Sequence, residues 1–146
     1  MKLTIHLGLH KTATTAFQSI CAENRDLLQK FNIYYPQSFD GHVSHNAIAT
    51  MDWLGTKALE TSISEVINSA PMGTEEIIIS TERLQAILVD PLLRQKLCFS
   101  LQELSVSEIV FVCVYRDPMA YFESLYSELG KIGHTATRLE MASKII

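Results

Sequence analysis

KLTIHLGLHKTATTAFQSI, residues Lys2 to Ile20, joins a β-branched apolar run to a tight turn and a hydroxyl-rich helix start. The turn carries one lysine, Lys11, followed by Thr12, Ala13, Thr14 and Thr15. Backbone N–H groups at a helix N-terminus lack intrahelical acceptors, the dipole is positive there, and hydroxyls add donors. The segment therefore reads as a site for a phosphate or sulfate, with the lysine as a mobile point charge. Gly8 is the only glycine of the turn, so the strict Walker A spacing, with glycine directly before lysine, is missing. An ordinary βα unit with polar capping residues would satisfy the same pattern.

Outward from this segment, two further runs rich in Ile and Val predict strands, Glu76 to Ser80 and Ile109 to Tyr115, beside a first strand at Leu3 to Leu7. Nearly continuous apolar runs of this length are expected where both faces of a parallel sheet are covered. A shorter strand is expected at Asn32 to Tyr35, ahead of Pro36. Between them the period turns helical. Phe17, Ile20, Leu27, Leu28 and Phe31 share one face, predicting a helix from Thr14 to Lys30. Other helices are expected at His45 to Leu54, Lys57 to Asn68, Pro91 to Leu104 and Pro118 to Lys131. Asp117 is a natural N-cap for the last, with Pro118 in its first position. The alternation of strand and helix predicts one three-layer, P-loop-like α/β domain over residues 1–146, a mostly parallel sheet flanked by helices.

Composition narrows the function classes. The 146 residues are 47% apolar and 19% charged, with a formal net charge of -4. That balance argues against a general nucleic-acid surface while leaving room for a local basic pocket. Cys21, Cys98 and Cys113 are odd in number and lack CxxC spacing, and two of them lie in apolar runs, which predicts reduced, buried thiols and a cytoplasmic address. No apolar run is long enough for a transmembrane helix, and no secretory signal is apparent. His42 and His45 lack an evident third ligand, so no metal site is expected.

In parallel α/β sheets, ligands gather beyond the carboxyl ends of the strands. Three segments fall there: Gly8 to Thr15, Thr81-Glu82-Arg83 and Arg116-Asp117. Eight residues after Arg116, Ser124 lies on the second turn of the following helix, so guanidinium and hydroxyl form a clamp for a second phosphate. A surface Arg116–Asp117 pair with an idle helical serine is the alternative.

Lys11-Thr12-Ala13-Thr14-Thr15 together with Arg116-Asp117-Pro118 and Ser124 resembles the PAPS-dependent sulfotransferase family. GLHKTATT, Ser80-Thr81-Glu82 and YRDPMAYFESLYSEL are most similar to bacterial and carbohydrate sulfotransferases, over Lys2 to about Lys131. The resemblance implies that Lys11 neutralises the oxygen bridging sulfate and phosphate. It implies that Thr12, Thr14 and Thr15 hold the 5′-phosphate through hydroxyls and backbone amides around Ala13, where the family usually has glycine. His10 would contact the sulfate, and Arg116 and Ser124 the 3′-phosphate. Glu82 is the first candidate for the general base and His45 the second.

The cosubstrate implied is PAPS and the product PAP, with a hydroxyl or amine of a carbohydrate or small metabolite as acceptor. Two other readings stand beside it: an inactive PAP-binding module, and an ATP-dependent P-loop kinase. The resemblance also implies a C-terminally short chain, since family members continue through further elements. A homodimer through Thr135 to Ile146 is then expected, unless that segment folds back on its own domain.

Overall fold

The computed structural model describes residues 1–8, 14–38, 42–48, 57–84, 86–102, 104, 106–114, 116–133, 135 and 137–145. Within them run four strands, β1 (Lys2–Gly8), β2 (Ile33–Tyr34), β3 (Glu76–Thr81) and β4 (Glu108–Val114). They form one parallel sheet in the order β2-β3-β1-β4, an α/β architecture with helices against the sheet. The expected strands are present with their ends shifted by a residue or so.

Alternation along β1 sorts its side chains. Leu3, Ile5 and Leu7 are fully buried on one face, with Ile77 and Ile79 of β3. They pack with Ile63 and Val66 of α3 (Lys57–Asn68), Ile87 of α4 (Ala86–Val89), and Leu97 and Leu101 of α5 (Pro91–Gln102). Burying each such side chain contributes roughly 1.5–3 kcal/mol, so this face is the main source of cohesion. The opposite face carries Thr4 and His6 of β1 and Ser80 of β3, all buried.

The expected Thr14–Lys30 helix departs from its prediction in continuity and in which face it buries. The chain forms α1 (Thr14–Glu23) and α2 (Arg25–Lys30), interrupted at Asn24, whose Nδ2 donates to the carbonyl of Ile20 at 2.8 Å. Such local side-chain bonds compete with regular helix. The apolar stripe is not the buried face: Phe17, Ile20, Leu27 and Phe31 are all exposed. Thr14, Gln18 and Cys21 are buried instead. Small and polar residues suit a sheet face that presents an imidazole and a serine.

β4 also departs from expectation. Among the described residues it pairs with β1 alone, and Val112 and Val114 are exposed, as is Cys113. The thiols are free, but only Cys21 is buried and Cys98 is intermediate. The expectation of buried thiols holds for Cys21 and is corrected at Cys113, which the edge position of β4 leaves exposed. Of the expected His45–Leu54 helix, a 3₁₀ turn at Asn46–Ile48 is described and 49–56 lie outside the described residues.

Asp117 caps α6 (Pro118–Lys131), its Oδ1 accepting from Ala120 N at 3.0 Å. The C-terminal segment forms α7 (Arg138–Ile145), which folds back on α6 of its own chain. Arg138 pairs with Glu123 at 3.0 Å and lies over the Tyr126 ring, while Met141 is buried. No helix among the described residues is long and apolar enough to cross a membrane.

Candidate functional site

Strand register gathers the candidate segments. Leu7 pairs with Thr81 and Gly8 with Val114, so β1, β3 and β4 end at one level. Glu82 follows directly on β3, and Arg116 stands two residues beyond the end of β4. Thr14 begins α1 on the same rim, because its hydroxyl donates to the Glu82 carboxylate. Gly8 makes this approach possible. A Cβ there would stand 2.0 Å from Thr14 Cγ2 and 3.1 Å from Glu82 Cγ.

The loop after β3 is pinned from a third direction. Asn46 Oδ1 accepts from both Thr81 Oγ1 and the Glu82 backbone N–H, each at 2.9 Å, while Thr81 Oγ1 accepts from Arg83 N at 3.2 Å. Glu82 is thereby held at its backbone and at its carboxylate. The arrangement can orient a carboxylate toward a bound group and can offer the first N–H groups of α1 to an anion. With its own proton given to Glu82, the Thr14 hydroxyl leaves the backbone amide as Thr14's donor to such an anion.

Beneath the rim lies a buried polar network. His6 Nδ1 and Ser80 Oγ are 2.8 Å apart, and Gln18 Nε2 donates to the same Oγ at 3.1 Å. His6 also packs on the Phe17 ring, with centroids 4.4 Å apart. Burial lowers the His6 pKa from its ordinary value, outweighing the Glu82 carboxylate, which pulls the other way.

His45 is bonded on both ring nitrogens. Nδ1 accepts from Ser80 N at 3.0 Å, which fixes the proton on Nε2, and that N–H donates to Pro36 O at 3.0 Å. Fully buried and packed edge-on against Tyr35, it ties the loop before the 3₁₀ turn to β3. An imidazole so committed has no lone pair for an acceptor's proton, which weighs against His45 as the base. Tyr35 is buried too, with its pKa raised chiefly by burial, and its hydroxyl donates to Val43 O at 2.8 Å.

Arg116 is exposed on the rim, and Ser124 is half-buried on the second turn of α6. Thr15, next to Thr14 on α1, is exposed. His10, Lys11, Thr12 and Ala13 lie outside the described residues. Among the described residues no three His, Cys, Asp or Glu side chains converge as a metal site would require. Gln18 and Asn46 were not candidates from sequence; Asn46 in particular has no local signal, because its two contacts are with residues 35 and 36 positions away. Set against protein-family models, curated proteins and solved structures, the chain matches none of them.

Proposed function

We propose that this chain is the core of a sulfotransferase that moves a sulfuryl group from PAPS to a hydroxyl or amine of a carbohydrate or small metabolite. The observation carrying the reading is the Thr14–Glu82 bond over Gly8, which sets a carboxylate beside the anion-favouring start of α1. A donor anion and a base on one rim are what transfer to an O–H or N–H acceptor needs.

In this reading the acceptor oxygen attacks sulfur in line while its proton passes to Glu82. The bond from sulfur to the bridging oxygen breaks, and PAP leaves with the negative charge that Lys11 neutralises. His10 contacts the sulfate. Thr12, Ala13, Thr14 and Thr15 surround the 5′-phosphate, and Arg116 with Ser124 holds the 3′-phosphate. Glu82 takes the base role ahead of His45, whose nitrogens are both engaged.

Calorimetric titration with PAP, AMP and ATP with magnesium tests the assignment. PAP is expected to bind more tightly than AMP, and Arg116→Ala to remove most of that preference, since AMP lacks the 3′-phosphate. Equal binding of PAP and AMP by the unmutated chain ends the reading, and a preference for ATP replaces it with a kinase.

A further inference from the structure

On the sheet face opposite the main core, Phe17 of α1, Ile78 of β3, and Val112 and Val114 of β4 line a cleft of about 340 Å³. Three polar side chains also border it: Thr4, Thr14 and His6. Two of them have given away their protons, Thr4 to Glu76 Oε1 at 2.5 Å and Thr14 to Glu82. His6 is different. Only 3% exposed, it meets Ser80 through Nδ1, and among the described residues Nε2 has no hydrogen-bond partner. No fully buried side-chain nitrogen or oxygen among those residues is left unsatisfied. Nε2 must therefore meet open space, and the cleft is the open space that His6 borders.

We propose that this cleft binds a compact apolar molecule carrying one hydroxyl, a phenol or a cyclic alcohol, with the hydroxyl on His6 Nε2. The size fits, because an apolar cavity of ~150 Å³ already holds a benzene ring. The polar complement fits as well. Ser80 Oγ, already accepting from Gln18, can either donate to His6 Nδ1 or accept from it, so Nε2 presents a lone pair or an N–H. A hydroxyl satisfies both cases, since it donates and accepts. A sugar does not fit, because its other hydroxyls would lie against valine, isoleucine and phenylalanine carbons without partners. The site requires neither a nucleotide nor Lys11, so it stands independently of the sulfuryl-transfer reading.

Titrating the full chain with phenol, benzene and glucose while following the methyl resonances of Ile78, Val112 and Val114 tests the proposal. Phenol should shift all three saturably, with or without PAP. Benzene should shift the same methyls but bind roughly three- to tenfold more weakly, for want of one hydrogen bond. Glucose should leave them in place. Val112→Glu, at a position 41% exposed, should keep the melting transition while abolishing the phenol shifts at Ile78 and Val114. Equal affinity for phenol and benzene, or shifts confined to other methyls, overturns the proposal. Methyl shifts that follow protein concentration without any ligand also overturn it, and assign the cleft to a second copy of the chain.

Discussion

Gly8 is required for space rather than for backbone freedom. The atoms nearest its absent Cβ are Thr14 Cγ2 at 2.0 Å and Thr14 Cβ at 2.9 Å, part of a short branched side chain that cannot swing away as a long one would. Gly8→Ala should therefore displace the start of α1 and break the Thr14–Glu82 bond, at a cost of about 1–3 kcal/mol. Thr14→Ser removes Cγ2 and keeps the hydroxyl. In the Gly8→Ala background it should recover part of the loss, giving a coupling of roughly 1 kcal/mol in a double-mutant cycle of denaturant midpoints. Strictly additive effects would show that the two residues do not meet.

Among the elements, α6 shows how far a local signal reaches. Asp117 accepts from Ala120 N, Pro118 occupies the first position, and the helix runs from Pro118 as its sequence implies. Capping of this kind is decided within four residues, so Asp117→Ala should cost about 1 kcal/mol while Asp117→Asn costs little. Hydrogen exchange in the first turn of α6 should accelerate in the alanine variant and stay near the parent rate in the asparagine variant. α1 follows other rules. Ile20 of its apolar stripe faces outward and Phe17 sits half over the His6 ring, because the sheet surface it meets bears His6 and Ser80, and Gln18 bonds Ser80 directly.

For the whole molecule, the buried His6 ties stability to pH. Burial holds its folded pKa below the ordinary value of 6.5, with Glu82 the carboxylate opposing. The unfolded chain thus takes up this proton at a higher pH than the folded chain does. Stability contributed by neutral His6 is complete above about pH 6.5 and declines as pH falls toward the folded pKa, then levels once both states are protonated. Urea midpoints should fall between pH 7.5 and 5.5. His6→Gln, which keeps an amide able to bond Ser80, should flatten that decline by the share His6 supplies. An unchanged slope in the variant would assign the pH dependence to other groups.

The amino-acid sequence by itself determined the α/β class, the apolar strands β1, β3 and β4, and the start of α6, because each rests on side-chain periodicity or on a cap within one turn. It also marked Thr14 and Glu82, at a strand-to-helix junction and a strand end, as candidates. Only the tertiary structure decided the order β2-β3-β1-β4, the exposure of Cys113 on an edge strand, and the burial of Gln18 in place of the apolar stripe. It likewise committed both nitrogens of His45 to Ser80 and Pro36. The physical reason is one of range. Periodicity records which residues share a face, whereas what covers that face, and which lone pair is already taken, depends on segments tens of residues away.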